Sequence, residues 1–219
     1  FVKLNPTLLG YEFVRDTLAR MGYNYIQLKE ESFSHDLQYD DGLALLKRLQ
    51  AFARERQRGF GVKLTNTLPV QNPGDELPGE EMYLSGRALY PLSINLASRL
   101  AAAFGGHLQI SYAGGGDAFN VARIFATGIW PITMATTLLK PGGYLRLTQI
   151  AAELDPLLDE AAPGTIDVER LAGLAAEAFK DPDYLKAKRG VRSRKLARKL
   201  PLIDCFIAPC TAGCPIGQD

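Results

Sequence analysis

The sequence lacks the residues and segments that mark several large classes of protein. None of the first 204 of its 219 residues is cysteine, which argues against a secreted domain held by disulfides. No apolar run approaches the roughly 18 residues of a membrane span. The formal net charge is only +1, so the molecule as a whole has no electrostatic reason to bind nucleic acid or an anionic membrane. We therefore expect a cytoplasmic protein with no membrane span and no nucleic-acid partner, in which any attraction to anions is local.

Short apolar runs alternate with segments of helical periodicity in the first two thirds of the chain. The predicted strands are Phe1–Leu4, Tyr25–Leu28, Phe60–Leu64, Leu108–Tyr112 and Trp130–Ala135, with a brief extra strand at Met82–Leu84 after the long loop Pro69–Gly79. The predicted helices are Phe13–Met21, Leu43–Phe52, Leu96–Phe104 and Phe119–Phe125, with Asp117 as a cap, and another begins near Tyr144. Strands separated by helices imply a parallel sheet, so we predict the α/β class. An open sheet and an incomplete barrel both satisfy this pattern, because so few strands cannot close an eight-stranded barrel.

The composition changes after Leu154 and divides the chain into three predicted parts. Residues 1–154 carry the strands, 155–200 form a helical, basic linker and 201–219 contain the cysteines. The basic residues between Lys186 and Lys199 have no interleaved aromatics, so a solvated helical surface, or an arm on an acidic neighbour, is favoured over nucleic-acid binding. The chain opens with Phe1 and without a signal peptide, so we expect an internal fragment whose partner is the remainder of its own polypeptide.

A glycine-rich segment follows the predicted strand Leu108–Tyr112. Gly114, Gly115 and Gly116 precede Asp117 and a predicted helix, where glycines let the backbone approach a ligand and free N–H groups face an anion. The next predicted strand ends in Thr133–Thr137, and the last two βα loops are where barrels most often hold phosphate. Phosphate binding is therefore favoured over the alternative that these glycines only permit a tight turn.

Three segments together resemble one family. The sequence LSGRALYPL at Leu84–Leu92, ISYAGGG at Ile110–Gly116 and ATT at Ala135–Thr137 follow the order found in the FMN-binding TIM barrel of dihydroorotate and dihydropyrimidine dehydrogenases. The resemblance covers roughly Phe1–Leu147 and implies an incomplete TIM barrel that lacks its N-terminal strands. It also implies that the FMN ribityl-phosphate pocket is lined by Ser85, Gly86, Gly114, Gly115, Gly116, Ala135 and Thr136.

A strand-end lysine stabilises the reduced flavin ring in barrels of this kind. Lys63, in GVKLTNT with Asn66 as a hydrogen-bonding partner, resembles the family motif, and Lys3 in VKLNP resembles it nearly as well. We favour Lys63, although either lysine could instead send its amine to solvent. The family's Ser or Cys base has no cysteine counterpart in this part of the chain, and we expect His35, beside Asp36, to belong to a surface ion pair.

The three cysteines lie close together near the end of the sequence. Cys205-x4-Cys210-x3-Cys214-Pro215 favours an iron–sulfur cluster over zinc or unligated thiols. The motif resembles the iron–sulfur module of the glutamate synthase small subunit and of dihydropyrimidine dehydrogenase, which has a further cysteine where this chain has Leu202. A [4Fe-4S] cluster would then need a fourth ligand from beyond Asp219.

The order of barrel and cysteine motif resembles the selenate reductase iron–sulfur subunit family, large bacterial proteins related to dihydropyrimidine dehydrogenase. The resemblance implies a multidomain flavin and iron–sulfur oxidoreductase with a downstream part that binds FAD and NAD(P)H, and with other redox subunits as partners. Two alternatives remain open: a barrel without flavin that serves as a docking scaffold, and a barrel lyase that binds a phosphorylated substrate and forms a Schiff base on Lys63.

Overall fold

Strands and helices alternate along most of the chain. The computed structural model describes residues 1–73, 78–140, 142–158 and 165–186. The strands are β1 (Val2–Leu4), β2 (Gly61–Leu64), β3 (Leu68–Gln71), β4 (Glu81–Leu84) and β5 (Gln109–Tyr112). The helices are α1 (Tyr11–Arg20), α2 (Glu30–Ser34), α3 (Tyr39–Glu55), α4 (Tyr90–Ala103), α5 (Val121–Phe125), α6 (Leu145–Leu154) and α7 (Val168–Glu177). The described residues also form four short 3-10 helices, Pro6–Leu9, Gly86–Leu89, Thr136–Leu139 and Asp155–Leu157.

The main sheet is parallel and has the order β1-β2-β5. Its register sets Lys3 opposite Lys63 and Leu4 opposite Leu64. Parallel strands in register point equivalent side chains to the same face, so the two lysines lie on one face of the sheet and the two leucines on the other. The parallel order confirms the crossover pattern that the alternation of strands and helices predicts.

Helix α4 lies at the centre of the packing. Leu92, Leu96 and Leu100 are fully buried, because α4 contacts β2 and also packs along α7. A helix that is apolar on nearly every side must be covered on every side. The side-chain amide of Asn95 donates to the carbonyl oxygen of Ala175 at 3.2 Å, which adds a polar link between α4 and α7.

Helix α7 lies in the part of the sequence that we predicted to be a linker. Asp167 caps it by accepting from the backbone N–H of Arg170 at 2.9 Å. The backbone just before α7 packs closely on two glycines. A Cβ on Gly106 would lie 2.4 Å from the carbonyl oxygen of Ile166, and a Cβ on Gly128 would lie 2.5 Å from the carbonyl oxygen of Thr165. Residues 1–186 accordingly form one compact unit.

Three sequence predictions differ from the structure. The strand predicted at Tyr25–Leu28 is wrong: the backbone there makes one hydrogen bond to β3, from Gln71 N–H to the Gln27 carbonyl oxygen at 2.8 Å, and no ladder. The strand predicted at Trp130–Ala135 is reduced to a parallel bridge between Ile132 and Tyr112, where Pro131 has no N–H to extend the pairing. The start of the loop predicted at Pro69–Gly79 is strand β3, which pairs antiparallel with β4.

The described part of the chain contains no helix that is both long enough and apolar enough to span a lipid bilayer.

Candidate functional site

A cavity of about 310 Å³ lies at the carboxyl ends of the parallel strands. Its lining comes from three neighbouring loops that follow β4, β5 and the bridged segment at Ile132, together with the two lysines on β1 and β2 and two threonines that follow β2. The lining residues are Lys3, Lys63, Thr65, Thr67, Ser85, Gly86, Arg87, Leu89, Ala113, Gly114, Gly115, Gly116, Asp117, Thr133, Met134, Ala135, Thr136, Thr137, Lys140 and Arg146. Ligands of open and closed parallel sheets bind at this end of the strands.

The three loops meet so closely that only glycine fits at the points of contact. A Cβ on Gly86 would lie 2.9 Å from the Thr136 side chain, and a Cβ on Gly115 would lie 2.7 Å from the Gly86 carbonyl oxygen. Both glycines have positive φ, +74° and +77°, which other residues rarely adopt. The hydroxyl of Thr136 also donates to that of Ser85 at 3.4 Å, so the loops converge at one place.

The glycine-rich loop rests on buried side chains that fix its shape. The phenol of Tyr112, which is fully buried, donates to the Gly114 carbonyl oxygen at 3.0 Å, and burial raises the pKa of this phenol well above its ordinary value. A Cβ on Gly114, whose φ is +117°, would lie 2.3 Å from the hydroxyl oxygen of Ser93. That hydroxyl is hydrogen-bonded to Thr65 at 2.7 Å.

The carbonyl groups of Gly114 and Gly115 accept hydrogen bonds, whereas the amides of this loop are not engaged by any described residue. Asn120 donates from its side-chain amide to the Gly115 carbonyl oxygen at 2.9 Å. The main-chain N–H groups of Gly114, Gly115 and Gly116 donate to no acceptor within the described ranges. Consecutive amides of this kind are suited to an anionic ligand. The helix that follows does not contribute, because α5 has five residues and begins at Val121, later than the predicted start at Phe119.

The cavity is strongly cationic although the whole chain is nearly neutral. Among the described residues, its lining contains five basic side chains, Lys3, Lys63, Arg87, Lys140 and Arg146, and one acidic side chain, Asp117. The carboxylate of Asp117 is paired: it accepts from Nε of Arg87 at 3.1 Å and from the Phe119 N–H at 2.9 Å. The excess of positive charge favours an anionic ligand.

Most of the predicted cofactor-binding residues lie together in this cavity. Lys63, Ser85, Gly86, Gly114, Gly115, Gly116, Ala135 and Thr136 all line it, as does the alternative lysine, Lys3. Asn66 lies outside the lining, and its backbone N–H donates to the Leu4 carbonyl oxygen at 2.8 Å. Cys205, Cys210 and Cys214 lie outside the described residues, among which no group of three or more metal-ligating side chains is found.

Asp36 has a structural role that the sequence did not indicate. The predicted ion pair of His35 is not found among the described residues. Its neighbour Asp36 accepts hydrogen bonds from the side chains of Asn5 at 2.8 Å and Thr7 at 2.5 Å and from the Leu37 N–H at 2.8 Å, which ties α2 to the segment after β1. Burial acts to raise the pKa of Asp36, but these three hydrogen bonds together outweigh it, and the pKa is lowered from its ordinary value.

Sequence reasoning missed four residues of the cavity wall that bear on its chemistry: Thr65, Arg87, Lys140 and Arg146. Arg87 stands inside a segment that the family resemblance rests on, and an arginine directly after Ser85-Gly86 was the available signal. Lys140 and Arg146 follow the bridged segment at the end of the strand region, where no local pattern distinguishes a cavity residue from a solvated one.

One family model and several known proteins are similar to this chain. The sequence model of the family described as "Oxidoreductase YgfK, N-terminal TIM-barrel domain" matches residues 1–186. The YgfK proteins of Escherichia coli K12 and of Escherichia coli O157:H7 are each 54% identical over all 219 residues, which cover 21% of those proteins. A ligand-free dihydroorotate dehydrogenase from Eimeria tenella is 20% identical, with a TM-score of 0.41 over 61% of this chain and 36% of that one. The family match confirms the prediction of an α/β TIM-barrel domain.

Proposed function

Because the chain belongs to the family of N-terminal TIM-barrel domains of the oxidoreductase YgfK, we propose that it is the flavin-binding barrel portion of a longer, multidomain oxidoreductase. The chain spans about a fifth of the length of the relatives it matches, so the reaction as a whole requires further domains. The cavity at the carboxyl ends of β1, β2 and β5 is the site that we assign to FMN.

One observation carries the proposal: three loops converge on a single cationic cavity. The loops contribute Gly114–Gly116, Ala135–Thr136 and Ser85–Gly86, and they meet where a Cβ on Gly86 or Gly115 would collide with a neighbour. Backbone that approaches so closely, with amides that have no acceptor in the described part of the chain, fits a phosphate dianion. These residues would hold the ribityl phosphate of FMN.

The two lysines fit the ring of the same cofactor. Lys3 and Lys63 lie opposite each other in the register of β1 and β2, and both line the cavity. Lys63 is half-buried whereas Lys3 is exposed, which supports Lys63 as the lysine nearer the ring. When bound, FMN supplies hydride and single-electron transfer, and a positive charge at the edge of its ring favours the reduced form.

Flavin content tests this function directly. The full-length protein should release FMN on acid treatment, quantified by chromatography separately from FAD. Gly116→Glu places a carboxylate in the cavity at a position where a Cβ meets only ordinary contacts, 3.7 Å from Ile132 and Met134. Gly59→Glu is the matched control. It introduces the same side chain outside the cavity lining, at a position where an added Cβ would have no atom within 4 Å. We expect Gly116→Glu to lose FMN and Gly59→Glu to keep it, and a folded wild-type protein without FMN would overturn the proposal.

Iron–sulfur chemistry is the second part of the proposal. Cys205, Cys210 and Cys214 supply three thiolates for a [4Fe-4S] cluster, whose fourth ligand comes from beyond Asp219. Anaerobic reconstitution with iron and sulfide should give a visible centre only when sequence past Asp219 is present. Stoichiometric zinc in its place would contradict this assignment.

The wider reaction follows from the family resemblance. FAD and NAD(P)H would bind to the downstream part, other redox subunits are candidate partners, and a chain with no cysteine before Cys205 suits the cytoplasm. The resemblance to the selenate reductase iron–sulfur subunit family implies selenate as the electron acceptor. Selenate-dependent oxidation of reduced nicotinamide by the full-length protein tests it, and an unchanged oxidation rate on adding selenate would remove that substrate.

A second candidate function is favoured by one observation, the presence of Lys63 in an anion-binding cavity. In a lyase, that amine would form a Schiff base with a phosphorylated carbonyl substrate. Borohydride reduction in the presence of a phosphorylated sugar or keto acid, followed by peptide mass spectrometry, should leave Lys63 unmodified if the flavin function is correct.

A further inference from the structure

We propose that Arg87 binds the phosphate of the cavity's ligand directly, through a guanidinium that Asp117 and Phe119 hold in position, and that Arg87 therefore makes the site selective for a phosphorylated flavin. This inference rests on the proposed function, because it concerns the same cavity. Phosphate binding would then depend on the Arg87 side chain as well as on the backbone amides of the glycine-rich loop.

The position of Arg87 places it where the three loops meet. It directly follows Gly86, whose carbonyl oxygen would lie 2.7 Å from a Cβ on Gly115 and whose own Cβ would lie 2.9 Å from Thr136. The lysines, by contrast, project from β1 and β2. Arg87 thus belongs to the end of the cavity at which the glycine amides gather.

Two contacts hold the guanidinium of Arg87 in place. Its Nε donates to Oδ2 of Asp117 at 3.1 Å, and its central carbon lies 4.8 Å from the centroid of the Phe119 ring. The Asp117 side chain is only 5% exposed, whereas that of Arg87 is 36% exposed. The guanidinium is thus held by a buried carboxylate while part of it stays exposed. Such restraint lowers the entropy that Arg87 loses on binding a ligand.

Asp117 is itself anchored to the glycine-rich loop. Its other carboxylate oxygen accepts from the Phe119 N–H at 2.9 Å, and its own N–H donates to the side-chain oxygen of Asn120 at 2.9 Å. Asn120 then donates to the Gly115 carbonyl oxygen at 2.9 Å. A short chain of hydrogen bonds therefore couples the direction of Arg87 to the loop that supplies the amides.

The unused donors of Arg87 match a phosphate. Only Nε is engaged, and the two terminal nitrogens donate to no acceptor within the described part of the chain. A planar pair of terminal N–H groups is complementary to two phosphate oxygens, and such bidentate, charge-assisted bonds are stronger than neutral ones. Because the carboxylate of Asp117 neutralises the charge of Arg87, the pair contributes oriented hydrogen-bond donors to the cavity and little net charge.

The experiment compares FMN with riboflavin, which lacks the phosphate. Dissociation constants are measured by equilibrium dialysis on the full-length protein, depleted of FMN, with chromatographic quantification of each flavin. The variants are Arg87→Gln, Arg87→Lys and, as a matched control, Arg56→Gln, which removes another arginine that lies over an aromatic ring, 4.6 Å from the centroid of Phe52, outside the cavity.

Arg87→Gln should weaken FMN binding by about 10- to 100-fold and leave riboflavin binding within about twofold of the wild type. Arg87→Lys should keep part of the preference, because a lysine supplies the charge without the planar fork. Arg56→Gln should match the wild type for both flavins. Hydrogen exchange of the peptide that contains β5 verifies that each variant folds. If Arg87→Gln does not fold, Arg87→Lys serves as the test, and we expect it to prefer FMN over riboflavin by less than the wild type does.

The two ways of failing are distinguishable. A wild-type protein that binds no FMN removes the proposed function and this inference with it. A wild-type protein that binds FMN, with variants that weaken both flavins equally or weaken neither, leaves the flavin function standing and shows that Arg87 serves only as the structural partner of Asp117.

Discussion

A methyl group added at Gly114 should destabilise the barrel far more than one added two residues later. Gly114 has a φ of +117°, and a Cβ there would lie 2.3 Å from the hydroxyl oxygen of Ser93 and 3.2 Å from that of Thr65. The backbone conformation costs about 1–3 kcal/mol for a residue other than glycine. Overpacking a buried site adds about 1–3 kcal/mol. We therefore expect Gly114→Ala to lower, by about 2–6 kcal/mol, the free energy of the opening that lets the amides of the surrounding strands exchange their hydrogens.

The control for this change lies in the same loop. Gly116 has no positive φ, and a Cβ there would meet Ile132 and Met134 at 3.7 Å, an ordinary contact. Gly116→Ala should therefore change the opening free energy by less than about 1 kcal/mol. Hydrogen exchange, read by mass spectrometry on peptides from β2 and β5 of the full-length protein, measures both variants.

A second substitution separates the two causes of the loss. Ser93→Ala removes the oxygen at 2.3 Å and leaves its Cβ at 3.2 Å, so combined with Gly114→Ala it should recover part of the steric loss and none of the backbone loss. Equal opening free energies for Gly114→Ala and Gly116→Ala would show that Ser93 and Thr65 do not enclose Gly114 tightly.

Three further predictions concern polar groups: two are the buried hydroxyls of tyrosines and the third is the half-buried carboxylate of Asp36. Tyr112→Phe removes a hydroxyl that donates to the Gly114 carbonyl oxygen, so we expect the same exchange measurement to show a loss of about 1 kcal/mol. Tyr90→Phe removes a buried hydroxyl without a partner in the described part of the chain and should be neutral or slightly stabilising; equal losses would contradict the assigned contacts. Asp36→Asn should destabilise the protein near pH 7, and this difference should shrink as the pH falls below about 4. The pKa of Asp36 is lowered in the folded state from 3.8, so its stabilisation is complete above that value and is lost as the carboxylate is protonated; urea unfolding from pH 7 to pH 3 with an unchanged difference would refute this.

The glycine positions could be predicted from the sequence because their requirement is local. Gly114 and Gly115 need positive φ, and Gly86 does as well, so the chain must carry glycine there whatever surrounds it. The alternation of strands and helices was equally local, and it predicted the parallel pairing of β1, β2 and β5.

The features that could not be predicted depend on pairs of residues far apart in sequence. The ion pair of Arg87 with Asp117 joins positions thirty residues apart, and no periodicity indicates which carboxylate an arginine will meet. Tyr25–Leu28 has strand composition but lies where only one backbone hydrogen bond to β3 forms, so tertiary context overrode propensity. The segment at Trp130 was limited in a similar way by Pro131 and the few groups available to pair with it.

In the proposed site, one phosphate is enclosed by the loops at Gly114–Gly116, Ala135–Thr136 and Ser85–Gly86. The most direct test is a crystal structure of the full-length protein purified in the presence of FMN. We expect phosphate density within hydrogen-bonding distance of the glycine amides and of the Arg87 guanidinium, with the ring extending toward Lys63. An ordered cavity without that density, or an FMN bound elsewhere in the protein, would contradict it.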